Sequence, residues 1–520
     1  MASATLNDLC LAALTLSIVF LTILWYKLTS NISSKEESRL PPGPRGLPIV
    51  GFIPFLRPNL HHQLIELSQK YGPIYKFWLG RKLCVVLNSP SLAKQVVRDQ
   101  DTVFADRDPP IAGLVATYGG LDIGFAPYGS HWREMRKLFV RDMLSNRNLE
   151  ACRSLRRQEV RKTIRNMHIK IGSLTDIGEL AFVTQMNVVM SMIFGSNFVE
   201  EMEKHRKDGT EFREVVTRFL EVIGKPNISD FFPLLARFDL QGIQKEMKAL
   251  VKSVESILDP AINERMKMLS DKGDDEIQGN RKPDFIQILL ELMKQKDIGI
   301  SLDLVKIKAI LLDIVIGGTD TTITTIEWVM TELLNNPEIM SKVQQELKDV
   351  VGMNSIVEES HVPNLHYLDA VLKETLRLHP ALPLLVPKRP SQSAIVGGYT
   401  IPEGTKVLLN VYAIHRDPQL WKSPLEFQPE RFLNHSTQLD YSGNDMKYLP
   451  FGSGRRICAG LNLAEKMLMF ILASFLHSFD WKLPVGKNVD LTEGLGLVIK
   501  KSERLFAIPT PRLPNSQLYQ

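Results

Sequence analysis

A mainly helical single domain with a small β region, preceded by one N-terminal transmembrane helix, is the fold class predicted by this 520-residue chain. Three observations carry the prediction: long stretches with helical apolar patterning, a few short strand-like runs, and an uncharged first segment long enough to cross a bilayer. Composition agrees, since 44% hydrophobic and 23% charged residues suit a large folded catalytic domain rather than a disordered or fibrous chain.

Taken in order, Leu9 to Tyr26 carries no charged residue and approaches the thickness of a hydrocarbon core at about 1.5 Å per residue. A cleaved signal peptide is disfavoured, because no Lys or Arg precedes the segment and no A-x-A site follows Tyr26. Asp8 lies before it, whereas Lys27, Lys35, Arg39 and Arg45 follow, so the charge bias puts the rest of the chain in the cytosol. Residues 1–28 are therefore expected to form a membrane anchor, 29–48 a linker with the stiff hinge Pro41-Pro42-Gly43-Pro44, and 49–514 the catalytic domain. Helices are predicted over Leu60 to Lys70, Trp132 to Leu144, Gly242 to Asp271 and Leu302 to Leu334, with Pro337 closing the last. Ile74 to Leu79 and Leu83 to Leu87 predict a β-hairpin, and a second strand pair is predicted around Ile401-Pro402-Glu403-Gly404. Ser270 to Lys282, rich in Asp, Gly and Asn, predicts a solvated connector.

The net charge of +5 is modest and its basic residues are scattered, which argues against a nucleic-acid partner. Cys10, Cys84, Cys152 and Cys458 lie far apart, so neither a zinc site nor a disulfide framework is supported, and a reducing compartment fits best.

Cys458 carries the most information. It sits in the run Phe451-Gly452-Ser453-Gly454-Arg455-Arg456-Ile457-Cys458-Ala459-Gly460. A lone cysteine is more often a buried, inert thiol, but here four further fixed positions, Phe451, Gly454, Arg456 and Gly460, agree on a loop built to hold a thiolate. Gly454 and Gly460 permit positive φ or close approach of the backbone to a bound group, and Ala459 to Ala464 reads as a helix start whose dipole favours an adjacent anion. The third glycine of a dinucleotide fingerprint is replaced by Ile457, which excludes that reading.

The pattern F-x-x-G-x-R-x-C-x-G matches the haem-binding signature of the cytochrome P450 family at every fixed position. The resemblance implies the cytochrome P450 fold, a haem b (iron protoporphyrin IX) cofactor with Cys458 as axial iron ligand, Arg456 on a propionate and Phe451 shielding the sulfur. Gly317-Gly318-Thr319-Asp320-Thr321-Thr322 places two glycines inside a helix, which on its own signals either close helix packing or a local opening. It resembles the family's oxygen-activation motif, which implies proton delivery by Asp320 and Thr321. Glu374-Thr375-Leu376-Arg377, with Pro429-Glu430-Arg431-Phe432 further on, resembles the family's Glu-Arg-Arg arrangement and implies a haem-supporting role for Glu374, Arg377 and Arg431. Trp132 and Arg136, four residues apart on one helix face, resemble the W-x-x-x-R motif and imply contact with a propionate. Lys388-Arg389 stands where many plant relatives carry His-Arg; Lys388 is the candidate haem contact, with Arg389 the alternative.

Phe104-Ala105-Asp106-Arg107, Tyr128-Gly129 and the hinge resemble plant microsomal A-type members that oxidise terpenoids or flavonoids. What this implies is a monooxygenase of the endoplasmic reticulum membrane, single-pass and facing the cytosol. It would insert one atom of O2 into a C–H bond and draw electrons from NADPH through NADPH-cytochrome P450 reductase, since the chain has no flavin or nicotinamide motif of its own. Arg133, Lys137 and Arg141, with Lys447, Arg455 and Lys466, form a basic patch expected to dock that acidic partner. Segments Ile111 to Gly124, Ala309 to Thr319, Ala381 to Pro387 and Gly494 to Ile499 are apolar or small and predict a lipophilic pocket with few polar anchors. The expected substrate is a small lipophilic plant specialised metabolite, first a terpenoid of sesquiterpene type and second a flavone-type phenolic. A reductase-independent haem-thiolate isomerase or dehydratase and a haem sensor are the competing classes, and Asp320-Thr321 argues against both.

Overall fold

The structure is a computed structural model that describes residues 10–17, 19–20, 40–195, 210–271, 284–294, 302–433, 439–494 and 496–520. The expected membrane span is described only at 10–17 and 19–20, which are helical and leave Leu11, Leu14, Leu16 and Phe20 exposed. The linker at 29–39 and most of the Ser270 to Lys282 connector lie outside the described residues.

Helix α1 (Leu60–Tyr71) ends at Gly72 and leads into β1 (Ile74–Leu79) and β2 (Lys82–Leu87), the expected antiparallel hairpin. Helix α2 (Ser130–Lys137) continues through a π-helical turn, Leu138–Met143, so the helix expected to Leu144 is present. Strand β3 (Thr175–Asp176) is followed by α3 (Ile177–Phe194), whose first turn is capped by the Asp176 carboxylate accepting from the Glu179 N–H. Then come α4 (Ile243–Asp271) and α5 (Leu304–Asn335). Asp303 caps the start of α5 by accepting from the Lys306 N–H, and Pro337 follows its end. Helix α6 (His366–Leu378), strands β4 (Ala394–Val396), β5 (Tyr399–Ile401) and β6 (Lys406–Leu409), helix α7 (Leu461–Ser478), and strands β7 (Phe479–Lys482) and β8 (Phe506–Pro511) complete the elements that place the site.

One strand expectation fails. Strands do flank Ile401 to Gly404, but they do not pair with each other: β5 pairs with β4, and β6 lies parallel to β2. The other edge of β6 is taken by Lys388, whose N–H and C=O exchange hydrogen bonds with Val407. With both edges occupied, β6 has no free side for a local partner. Among the described residues the sheets are ordered β1-β2-β6, β3-β8-β7 and β4-β5, small as expected.

The core is helical. Helices α3 and α5 are long and apolar enough to cross a membrane, yet 83% and 78% of their apolar windows are buried, so in this fold they are core helices. They pack on each other, and α5 also packs on α6 and α7. The loop bearing Cys458 runs directly into α7, with Gly460 as its N-cap residue.

Candidate active site

A cavity of about 330 Å³ lies between the Pro450–Gly460 loop and α5. Cys458 is on its wall, so the accessible surface of the thiol faces the cavity although protein surrounds the residue. Burial pushes the thiol pKa up, while the Gly460 N–H and the Arg136 charge act in the opposite direction. The loop is tied back on itself by the Cys458 N–H donating to Phe451 O at 3.0 Å. Gly454 has φ of +71°, and a Cβ there would lie 2.4 Å from Val97 O, so only glycine fits against the segment 95–99. Gly460, by contrast, has φ of −90°, so the expectation of positive φ fails there; a Cβ would point at Cys458 Sγ, 4.0 Å away.

Opposite the thiol, α5 contains a π-helical turn, Asp313–Gly317. Gly317 and Gly318 both line the cavity, and a Cβ on either would meet nothing within 4 Å. Close packing is thereby excluded as the reason for the glycine pair, which instead opens α5 to the cavity. Thr321 also faces the cavity, its hydroxyl donating to Gly317 O at 2.8 Å. Asp320 does not share that wall. It is 6% exposed and lies within 2.7 Å of Lys500 Nζ. Neighbours on a helix are about 100° apart, so the Asp-Thr pair divides between the cavity and the C-terminal segment.

Four cationic side chains gather at the rim. Arg107, Arg136, Lys388 and Arg456 all line the cavity. Arg136 donates to Ile457 O at 2.7 Å, tying α2 to the cysteine loop. Arg456 donates to Ala105 O, Ile123 O and Ala126 O and stacks over Trp132 at 4.2 Å. Trp132 corrects an expectation: its indole N–H donates to Ile123 O at 3.0 Å and the residue does not line the cavity. The Ile123 carbonyl thus accepts from both the indole and Arg456, and the indole ring supports Arg456 from behind. Lys388, rather than Arg389, reaches the cavity. It is 4% exposed, its Nζ has no hydrogen-bond partner among the described residues, and burial followed by the Arg107 charge pushes its pKa down to about 7.

Phe451 lines the cavity beside the thiol and packs edge-on against Tyr441. Further out, Glu374, Arg377 and Arg431 meet. Arg377 makes two hydrogen bonds to the Glu374 carboxylate, at 2.7 and 2.8 Å, and Arg431 Nε makes a third at 3.0 Å. Glu374 and Arg377 are both 0% exposed. Of the four segments expected to line the pocket, the first three contribute residues; among the described residues, 494–499 contributes none, and Ile499 packs instead with Trp328 and Tyr412.

Sequence reasoning singles out neither Arg107 nor Gln185. Arg107 donates to Val386 O and Pro387 O and signals itself only through the Phe104–Arg107 run. Gln185, on α3, donates to Gly318 O at 2.9 Å and faces the cavity, a contact across the core that no local pattern foretells.

The residues present fit a haem. A thiol stands on one wall, an opened helix on the other, apolar side chains lie between, and the rim holds a buried amine without a partner among three guanidiniums. Such a rim suits the two propionates of the macrocycle. Comparison with known proteins leads to the same place. Residues 41–507 match the family model described as Cytochrome P450. The chain is 38% identical over 483 residues to a flavonoid 3'-monooxygenase of Crocosmia x crocosmiiflora, covering 91% of this chain and 93% of that one. It is 37% identical to a ferruginol synthase of Isodon rubescens (93% and 96% covered) and 37% identical to a geraniol 8-hydroxylase of Swertia mussotii (96% and 99% covered). A solved structure of a zebra fish cytochrome P450 with abiraterone superposes with a TM-score of 0.71 at 26% identity, covering 87% of this chain and 99% of that chain. The fold, a cavity built for a thiolate-ligated macrocycle, and relatives aligned over nearly their whole length converge: the chain belongs to the cytochrome P450 family and is a monooxygenase of the plant terpenoid- and flavonoid-hydroxylase type.

Proposed function

We propose that this monooxygenase hydroxylates a small terpenoid, with O2 and with electrons from NADPH delivered by NADPH-cytochrome P450 reductase, while anchored in the endoplasmic reticulum membrane with its catalytic domain in the cytosol. The observation that carries the reading is the cavity between Cys458 and the opened stretch of α5. When bound there, haem supplies the oxygen-inserting chemistry, one atom of O2 entering a C–H bond and the other leaving as water. Cys458 is the iron ligand, with the Gly460 N–H and Arg136 favouring its anionic form. Arg136, Lys388, Arg456 and Arg107 neutralise the propionates. Trp132 holds Arg456 in position, Phe451 keeps water from the sulfur, and Glu374, Arg377 and Arg431 brace the loop region behind it.

Protons are needed where α5 faces the cavity. The Thr321 hydroxyl, now donating to Gly317 O, holds one at the cavity, and Asp320 with Lys500, one third exposed, connects that side of α5 to solvent. Electron delivery is supported by Arg133, Lys137 and Arg141, which are exposed along the helix that Arg136 ties to the cysteine loop, and by exposed Arg455 on the loop itself. The membrane reading is supported by exposed Leu47, Ile49, Phe55 and Trp78 near the hinge and by exposed Leu234, Phe238 and Leu240; the Arg81 N–H donates to Phe231 O and so ties the two regions together.

Terpenoid is placed first because two of the relatives above are named for terpenoids, and flavonoid second because one is named for flavonoids. Incubation of microsomes holding the protein and a plant reductase with pooled terpenoids and flavones tests both readings. NADPH-dependent gain of one oxygen in a terpenoid is the expected result, and a product confined to the flavones selects the second reading.

A further inference from the structure

The segment Ala309 to Thr319 contains one charged residue, Asp313, and it lines the cavity one helical turn before Gly317. Its Oδ2 accepts from the Ile123 N–H at 2.7 Å, which ties α5 to the turn Asp122–Phe125. Its Oδ1 makes no hydrogen bond among the described residues. Gly124, also on the cavity wall, leaves that oxygen uncovered: a Cβ there would sit 4.0 Å from Asp313 Oδ1 and 3.1 Å from Asp122 Oδ2. Asp122, 1% exposed, accepts from the Phe125 N–H through Oδ2, and its Oδ1 is buried without a partner among the described residues.

We propose that Asp313 is the polar anchor of the substrate cavity, hydrogen-bonding through Oδ1 to an oxygen of the substrate, so that the natural substrate is an oxygenated lipophile such as an alcohol, ketone or phenol rather than a bare hydrocarbon. The proposal rests on the monooxygenase reading of this cavity and narrows its substrate class. Two carboxyls against one turn in a desolvated site do not both ionise, and burial and the Asp122 charge raise the Asp313 pKa well above the usual carboxylate range. Burial raises the Asp122 pKa as well, but backbone N–H groups and the Arg456 charge oppose that rise, whereas only the Ile123 N–H opposes it at Asp313, so Asp313 is the more readily protonated of the two. Asp313 then carries a proton and can donate to a carbonyl or hydroxyl oxygen, or accept from a hydroxyl. The open Oδ1 facing a hydrocarbon would lose its hydration with no compensating bond, which selects against hydrocarbons as well as for oxygenated ligands.

The helix also sets where oxidation falls. Thr321 lies eight residues beyond Asp313, or about 12 Å along the axis at 1.5 Å per residue. An oxygen held at Asp313 therefore leaves the far end of a ten- to fifteen-carbon skeleton beside Thr321, so the new oxygen enters remote from the old one.

The test is equilibrium dialysis on the haem-loaded protein with matched pairs: geraniol against 2,6-dimethylocta-2,6-diene, and farnesol against 2,6,10-trimethyldodeca-2,6,10-triene. At least one alcohol is expected to bind about tenfold more tightly than its hydrocarbon, the contrast that one well-made hydrogen bond supplies. Asp313→Leu should weaken the alcohol alone and erase the contrast, whereas Asp313→Asn, which still accepts from the Ile123 N–H and donates from its amide, should keep most of it. Equal binding of alcohol and hydrocarbon to the unaltered protein, failure of both alcohols to bind, or equal weakening of both partners by Asp313→Leu would overturn the proposal, the last leaving Asp313 only its tie to Ile123. Turnover with NADPH is scored separately: turnover without alcohol preference removes the anchor and spares the monooxygenase, and alcohol preference without NADPH-dependent product does the reverse.

Discussion

Removing Arg377 should cost this protein its haem before it costs the protein its helices. The guanidinium is fully buried and spends its donors on Glu374 Oε1 and Oε2, His415 O, Pro424 O and Glu426 O, while its face lies over Trp421 at 5.2 Å. In Arg377→Ala the Glu374 carboxylate, itself 0% exposed, keeps only the Arg431 Nε–H at 3.0 Å and the Gln428 N–H at 2.9 Å. Breaking a buried ion pair on one side costs about 3–5 kcal/mol. At about 2.1 cal/mol/K of unfolding entropy per residue, a chain of this size loses about 1 °C per kcal/mol, so the melting temperature should fall by about 3–5 °C. Arg377 bonds to the segments 415 and 424–426, and the His415 ring in turn accepts from the Leu449 N–H at the foot of the cysteine loop, so the loosened region includes the Cys458 scaffold. The assay is haem per polypeptide by pyridine haemochrome, with far-UV circular dichroism on the same sample and Arg377→Lys as a second variant that keeps charge but loses the two-pronged contact. The expected order of haem content is unaltered protein, then Lys, then Ala, with helix content preserved at low temperature. Full haem loading in a folded Arg377→Ala protein with an unchanged melting temperature would refute the reasoning.

Other outcomes follow from the same geometry. Gly317→Ala places a methyl where no atom lies within 4 Å, so it should raise stability by about 0.5–1 kcal/mol through helix propensity and yet lower product formation by about tenfold by narrowing the space beside Thr321; calorimetry and turnover on one preparation check both signs. Lys388→Met removes the unpartnered buried amine and should raise the haem dissociation rate by about tenfold, read by haem transfer to apomyoglobin, with an unchanged rate removing Lys388 from the propionate site. Glu493 is buried, which alone would raise its pKa, but hydrogen bonds from His61 and His62 and the Arg416 charge bring it down to about 2. A depressed carboxylate pKa contributes stability that is full above the unfolded value near 4.3 and is lost as pH falls from there towards 2, here about 3 kcal/mol. Melting curves from pH 6 to pH 3 should therefore fall more steeply for the unaltered protein than for Glu493→Gln, and parallel curves would count against the cluster.

What could be read from the residues was what depends on near neighbours. The β1–β2 hairpin, helices α1, α4 and α5, and the fit of the Cys458 loop to its signature all rest on spacing within a few turns of chain. Pairing across the chain was hidden: β6 joins β2 from more than three hundred residues away, so strands on both sides of Gly404 looked like partners when they were not. Facing was half legible. Helical geometry alone says that Asp320 and Thr321 point about 100° apart, and strand geometry says that Lys388 and Arg389 point to opposite sides, but which one meets the cavity depends on neighbours brought in by the fold. Trp132 shows the same limit, since nothing near it in sequence announces the Ile123 carbonyl that takes its indole proton. Asp313 was hardest to see because its apolar neighbours set the character of the segment and its partner Asp122 lies on another element.

The apolarity of α3 and α5 bears on how this protein is made. The two helices shield each other in the finished fold, but about 110 residues separate Phe194 from Leu304. At synthesis rates of about 5–20 residues per second, α3 leaves the ribosome some 5–20 s before its partner begins to emerge. During that interval the nascent chain, held at the bilayer by the proposed N-terminal anchor, presents an eighteen-residue segment apolar enough to insert. Biogenesis is then a race between chaperone capture and a second, unwanted membrane insertion. The buried Thr184, Gln185, Asn187 and Ser191 on α3 give that race its bias, since each makes the helix a poorer membrane span without removing it from the core.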